Sequence, residues 1–385
     1  MIEKPVIFAS TCEFSGDMHG EVLIREIRKT IPGSTFFGIG GPKMAEAGVE
    51  LMFDPTKVST LGFTEALKNF RRLKRLITEI TGEWEKRRPD LMIWLDSGGF
   101  NLVLAKEAKK RGIPVVCMFS PSAWAYGEDR AVKLADRVRL LLAVLPFETK
   151  FYQKFGVETI YVGHPLLDRV KSEMTPEEFR QKNGLGPEQK LLAIMPGSRR
   201  QEVANLLPLM LEAVTEISKD CPVKVMLPIA ASINRPWLDD IISRFPLSVR
   251  VIDDNAYNLL AAADAAVIAS GTATLEAAIL NVPTVVIYKV SKLSYFIYKR
   301  LETQEHKNKP WISLPNLIAE RPLFPEVIQK SLNPANIAKA LQPLLLNQEE
   351  NRNIRNGLTE VRNLIGPPGV MTRAATIIRD LLATI

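Results

Sequence analysis

The sequence predicts an α/β protein of two Rossmann-like domains, each built on a parallel sheet, with the sheets facing a central cleft. Three observations carry that expectation. The chain has 385 residues, beyond the ~250–300 at which one hydrophobic core stops growing. Short apolar runs alternate with longer amphipathic segments, the pattern of repeated βα units. Two such series are separated by the polar stretch 168–189.

In the first series, residues 6–10, 91–95, 115–119, 140–145 and 159–162 are nearly continuous aliphatic runs. Runs without polar alternation suit strands covered on both faces, so they read as buried parallel strands. Residues 20–30, 102–111 and 147–155 between them read as helices. The second series places strands at 191–195, 224–227, 249–252, 265–269 and 284–288. The expected division is 1–168 for the first domain and 169–369 for the second. Gly366-Pro367-Pro368-Gly369 breaks the chain before a last helix, 370–385, which can pack back on the first domain.

Composition narrows the function classes. With 46% hydrophobic and 24% charged residues, the chain is neither disordered, collagen-like nor a small disulfide scaffold. Its net charge of +7 fits an anionic partner and leaves nucleic acid, anionic lipid and phosphorylated substrate open. Three well-separated cysteines, Cys12, Cys117 and Cys221, cannot all pair and read as cytoplasmic thiols. No signal-like N-terminus is present, and the longest uncharged apolar candidate, 140–147, is strand-sized. His19, His164 and His306 are scattered and Asp-x-Asp is absent, so neither a metal nor any other cofactor is expected.

In open α/β sheets, ligands gather on the loops after the carboxyl ends of strands. The first such loop, 10–20, carries Glu13, Ser15, Asp17 and His19; helix capping accounts for part of this set, yet the number of functional groups exceeds what a cap needs. Gly40 and Gly41 in the second could let a phosphate or sugar approach bare backbone, although a tight turn uses the same residues. Asp96 ends the strand at 91–95 and is either a turn aspartate or a cleft-facing general base. Ser120 and Trp124 lie in a fourth loop whose small and aromatic residues suit a sugar face or an acyl chain, or else cover the core. In the second domain, Gly197, Ser198 and Arg199 lead from strand to helix, as do Ser270, Gly271 and Thr272, with Glu276 one turn in. Singly each could be capping. Two anion-ready helix starts in one domain argue for a nucleotide diphosphate, with Glu276 accepting from ribose hydroxyls.

Many of these residues fall in longer stretches with a fixed order. They include Glu13-x-Ser-Gly-Asp-Met-His-Gly20, Phe37-Gly-Ile-Gly-Gly-Pro-Lys-Met44, Leu61-Gly-Phe-Thr-Glu-Ala-Leu67, Ser120-Pro-Ser-Ala-Trp-Ala125 and Leu145-Pro-Phe-Glu148. Val162-Gly-His-Pro-Leu166, Pro196-Gly-Ser-Arg199, Ala269-Ser-Gly-Thr-Ala273 and Ser313-Leu-Pro-Asn-Leu317 follow. From about residue 6 onward the chain resembles the lipid-A-disaccharide synthases, inverting glycosyltransferases of the GT-B architecture. The resemblance implies transfer of 2,3-diacylglucosamine from UDP-2,3-diacylglucosamine to 2,3-diacylglucosamine 1-phosphate, with release of UDP. It makes Asp96 the first candidate base and Glu13 the second. Gly197, Ser198, Arg199, Ser270, Gly271, Thr272, Glu276 and Asn316 are then expected on UDP. Ser15, Asp17, His19, Gly40, Gly41, Ser120 and Trp124 are expected on the acceptor.

The chain departs from the family pattern at Thr11 and Cys12, at Gly99, at Tyr126 and Gly127 where an arginine is missing, and in a charged, lengthened stretch at 302–310. Leu67, Phe70, Leu73, Ile77, Ile80 and Trp84 recur at helical spacing among Lys68, Arg71, Arg72, Lys74 and Arg75; residues 292–300 form a second basic-aromatic stretch. Either could touch the cytoplasmic face of the inner membrane or simply cover its own sheet. The resemblance also suggests a homodimer. Rival functions are a paralogous transferase with another acceptor, a UDP-N-acetylglucosamine 2-epimerase, and a non-catalytic basic binding module.

Overall fold

The computed structural model describes the chain except for residues 1–3, 56–69, 97–98, 187, 220 and 254, and gives only the backbone of 70–72 and 292–294. Two compact units emerge. The first comprises Met1–Pro165, Leu301–Glu305 and Gly366–Ile385; the second comprises Leu166–Arg300 and His306–Ile365.

Strands β1 (Val6–Ser10), β2 (Thr35–Ile39), β3 (Val49–Phe53), β4 (Leu91–Trp94), β5 (Val115–Met118), β6 (Leu140–Ala143) and β7 (Thr159–Tyr161) build the first unit's sheet. Their order is β3-β2-β1-β4-β5-β6-β7, parallel at every pairing. Helices α1 (Phe14–Thr30), α2 (Pro42–Glu46), α3 (Phe70–Arg87), α4 (Gly99–Lys110), α5 (Asp129–Arg137) and α6 (Pro146–Gln153) connect them. In the second unit, β8 (Lys190–Met195), β9 (Val223–Pro228), β10 (Val249–Ile252), β11 (Ala265–Ala269), β12 (Thr284–Tyr288) and β13 (Glu326–Ile328) form a parallel sheet ordered β10-β9-β8-β11-β12-β13.

The second unit's helices are α7 (Leu166–Arg169), α8 (Pro176–Lys182), α9 (Arg200–Ile217), α10 (Arg235–Ile242), α11 (Ala256–Ala262) and α12 (Thr272–Ile279). They continue with α13 (Lys292–Leu301), α14 (Gln304–Asn308), α15 (Leu314–Ala319), α16 (Pro334–Leu346) and α17 (Gln348–Leu364). The last helix, α18 (Val370–Leu382), packs on α1 within the first unit, where Thr372 donates to Glu26 over 2.9 Å. Two parallel sheets with helical connections are the predicted α/β class. Of the additional strands β2, β3 and β13, β13 has three residues and β3 is an edge strand, half-buried along most of its length, so both escape the hydrophobic pattern, while β2 is buried at four of its five residues.

Helix α1 begins at Phe14, not near residue 20, so Ser15, Gly16, Asp17 and His19 are helical rather than in a loop. The reason is packing. A Cβ on Gly16 would lie 2.0 Å from the Thr11 hydroxyl oxygen and 2.9 Å from the Leu95 carbonyl, so the glycine permits a helix where a loop was expected.

The core explains α3. Phe8 meets Phe37 edge-on at 5.3 Å and Trp84 at 5.0 Å, and both Ile80 and Trp84 are buried. The C-terminal half of this apolar stripe therefore covers its own sheet and is not a membrane face. Leu73 is exposed beside Lys74 and Arg75, while Leu67 and Lys68 lie outside the described residues. Among the described residues no helix is long and apolar enough to cross a membrane. Trp84→Ala should remove a core anchor and destabilise the chain by ~3–5 kcal/mol, read as a lowered denaturant midpoint; an unchanged midpoint would return Trp84 to the surface.

Candidate active site

Strand order decides which loops become neighbours. Because β1, β4 and β5 are adjacent, the segments after their carboxyl ends lie side by side, and in the second unit those after β8 and β11 do the same.

Asp96 follows β4 and is buried. Its carboxylate accepts from the Thr11 hydroxyl at 3.0 Å, the Asn101 amide at 2.9 Å and the Cys12 backbone N–H. Asn101 in turn accepts from the Ser10 hydroxyl. Of the two departures at this place, the Thr11 side chain joins Asn101 in orienting the candidate base, while Cys12 contributes only its backbone N–H. Ser97 and Gly98 lie outside the described residues, whereas Gly99 is exposed at the start of α4 with open space around it. Glu13 is exposed at the N-cap of α1, and Ser15 is exposed in its first turn.

His19 stacks on Phe119 at 4.5 Å, and Phe119 adopts a left-handed φ of 63°, a strained conformation of the kind that clusters at functional sites. His164 also feels the charge of His19; burial, with a smaller contribution from that neighbour, pushes its pKa down to about 3 and keeps it neutral. His164 was visible in the Val162–Leu166 stretch, but only the fold reveals its proximity to His19.

The Asp17 carboxylate is buried and accepts from the backbone N–H groups of Gly41 at 2.8 Å, Met44 at 3.0 Å and Lys43 at 3.1 Å. Gly41 is the N-cap of α2, so the anion at this helix start is the protein's own aspartate.

Ser120 donates to Glu148 at 2.9 Å, and Glu148 also accepts from Val144 and Leu145 N–H at 3.2 and 3.1 Å, closing the start of α6. Trp124 packs edge-on against Phe147 at 4.9 Å, and its side chain also hydrogen-bonds Glu148. Burial drives the Glu148 pKa up to about 7, against the opposing effect of these hydrogen bonds.

In the second unit, Arg199 is the N-cap residue of α9 and its side chain is 82% exposed. The guanidinium pairs with Glu202 at 2.9 Å in the first turn, while Ser232 donates to the Ser198 carbonyl at 2.6 Å and fixes the loop beyond Gly197. Gly271 is the N-cap of α12, which has no side-chain cap. Capping by Ser270 or Thr272 is therefore absent, and Thr274 instead donates to the Gly271 carbonyl at 2.8 Å. Glu276 accepts from Tyr257 at 3.1 Å with Arg169 close by; burial raises its pKa, and Tyr257 and Arg169 oppose the rise. Sequence reasoning missed Tyr257 and Arg169, whose helices α11 and α7 are remote in the chain and carry no motif of their own.

Asn316 is buried, with its NH2 donating to Phe324 O and Glu326 and its carbonyl accepting from Leu323 and Phe324 N–H. The amide thus ties α15 to Leu323 and Phe324 and, through Glu326, to the start of β13. Among the described residues, no group of three or more His, Cys, Asp or Glu side chains is arranged to hold a metal.

The Glu148 shift has a defined pH sign. Its folded pKa lies near 7 and its ordinary value near 4.5, so protonation favours the folded state. This contribution is complete below the ordinary value and disappears as pH rises through about 7. Relative to Glu148→Gln, wild type should lose up to ~3 kcal/mol of unfolding free energy across that window. Parallel denaturation curves at pH 4.5 and 8 would test this; a constant difference would reject it.

A family model described as lipid-A-disaccharide synthetase matches residues 7–376. Curated relatives named lipid-A-disaccharide synthase include that of Syntrophus aciditrophicus, 39% identical over 372 residues with 96% of each chain covered. That of Myxococcus xanthus is 36% identical with 99% of each chain covered. Among solved structures, the calicheamicin glycosyltransferase CalG4 aligns with a TM-score of 0.64 at 16% identity, covering 99% of both chains. MurG of Acinetobacter baumannii aligns at 0.60 and 12%, covering 98% of this chain and 99% of its own. These distant likenesses establish the GT-B fold. The close, full-length relatives and the family model establish more: this chain belongs to the lipid-A-disaccharide synthase family.

Proposed function

We propose that the chain transfers 2,3-diacylglucosamine from UDP-2,3-diacylglucosamine to 2,3-diacylglucosamine 1-phosphate. The products are UDP and a tetraacylated disaccharide 1-phosphate. Within that family, the observation that carries the reading is the side-by-side placement of two helix starts, at Arg199–Arg200 and Gly271–Thr272, on adjacent strands β8 and β11.

Backbone N–H groups at these starts, together with the exposed Arg199 guanidinium, suit a diphosphate. Glu276 lies one turn inside α12, with Tyr257 on one of its oxygens, and accepts from the ribose hydroxyls. In the first unit, Asp96 takes the proton of the acceptor hydroxyl; Glu13 is the second candidate. As the acceptor oxygen bonds to the anomeric carbon, the bond to the UDP oxygen breaks and its electron pair leaves with UDP. Arg199 and the helix starts stabilise that growing charge. Ser15, His19, Ser120 and Trp124 remain the acceptor-side set.

The acylated substrates place the reaction at the cytoplasmic face of the inner membrane, and the exposed Phe296 and Ile297 beside Lys299 and Arg300 on α13 fit peripheral contact there. Homodimer formation is carried by the family resemblance alone.

Arg199→Ala should weaken UDP binding about 10- to 100-fold, the worth of a charged hydrogen bond, by calorimetry in chelator. Asp96→Asn should retain UDP binding while disaccharide formation falls about 100-fold or more. Unaltered UDP affinity in the first variant would sink the donor assignment. A 2-epimer in place of disaccharide would favour the epimerase alternative. Flotation with anionic liposomes at low salt should carry the chain upward, and Phe296→Asp with Ile297→Asp should leave it in the lower fraction; flotation of that double variant would reject α13 as the contact.

A further inference from the structure

Two departures from the family pattern, Tyr126-Gly127 and the stretch from 302, are remote in sequence but meet in the first unit. Residues 301–305 are flanked in the chain by the second unit, yet they belong to the first. The Leu301 carbonyl accepts from Gly127 N–H at 3.0 Å, Glu302 forms an antiparallel bridge with Tyr126, and Thr303 N–H donates to the Ala125 carbonyl at 3.1 Å. The buried Thr303 hydroxyl donates to the Trp124 carbonyl. Beyond them, Glu305 pairs with Lys154 at 2.8 Å.

Gly127 is suited to this contact. Its φ of 71° is left-handed, where a side chain brings strain, and its N–H is the group that reaches Leu301. Arg130 lies over the Tyr126 ring at 5.0 Å, a further hold on the same turn. Glu148 grips the loop from the buried side through Ser120 and the Trp124 side chain. The Tyr152 hydroxyl donates to the Pro121 carbonyl at the other end of the loop, and the 301–305 segment ties its backbone from Trp124 to Gly127.

We propose that residues 301–305 are a strap that positions the Trp124 loop for the acceptor, with Thr303 the residue through which it acts. The proposal rests on the reading of Trp124 as an acceptor contact. A loop already fixed in its binding conformation loses less freedom when the acceptor docks, so the strap raises acceptor affinity without touching the acceptor. Thr303 is accordingly a positioning residue.

The test compares Thr303→Val, which keeps the shape and the backbone N–H but removes the hydroxyl, with Thr303→Ser, which restores it. In the full chain, Thr303→Val should raise the acceptor KM about tenfold, the equivalent of one buried hydrogen bond, with kcat and UDP affinity unchanged. Amide hydrogen exchange at residues 122–127 should quicken in the same variant, and Thr303→Ser should restore both readouts. Unchanged acceptor KM together with unchanged exchange would overturn the strap, as would an equal loss of UDP affinity. Wild-type protein that turns over no acylated acceptor would overturn the proposed reaction instead, and the exchange comparison alone would then decide for or against the strap.

Discussion

A parallel strand that feeds a helix ends at a cluster of backbone N–H groups that need an acceptor, and this chain answers that requirement in different ways. At α2 the answer is Asp17, and at α6 it is Glu148. Each carboxylate closes its own helix start and converts a potential anion site into a joint of the scaffold. At α9 the first turn holds Glu202 paired with an exposed Arg199, and α12 has no side-chain cap. These two helix starts take no buried carboxylate of their own, unlike those of α2 and α6.

The same logic separates the two kinds of carboxylate in the first unit. Asp17 and Asp96 are both buried at the carboxyl edge of one sheet, and both accept several hydrogen bonds. Asp17 receives backbone donors alone and joins α1 to α2. Asp96 is oriented by Thr11, Asn101 and the Cys12 N–H, donors gathered from two neighbouring loops. A substitution at position 11 therefore changes a side-chain partner of the candidate base, while position 12 supplies the same backbone donor whatever its side chain.

Glycines and small residues give the loop from Ser120 to Gly127 room but little intrinsic order. Order is supplied from elsewhere: by Glu148 from the core, and by residues 301–305 across a long sequence separation. The turn that receives Leu301 is left-handed at Gly127, whose N–H meets the Leu301 carbonyl.

The α/β class, most of the buried strands and the family were legible in the chain, because continuous aliphatic runs and ordered motifs are local properties of it. So were the places of Asp96 and Arg199 on strand-to-helix connections and of Glu276 just inside α12. Which groups meet these side chains became clear only in the folded chain. Asp17 meets the start of α2, and Asn316 meets Leu323, Phe324 and Glu326, partners that no local pattern announces. Trp84 could have faced a membrane until Phe8 met it from the sheet. Tyr257 and Arg169 became neighbours of Glu276 by folding alone. A hydrogen bond is made by groups that arrive from distant positions, and no local pattern records which of them will already be satisfied when the chain closes.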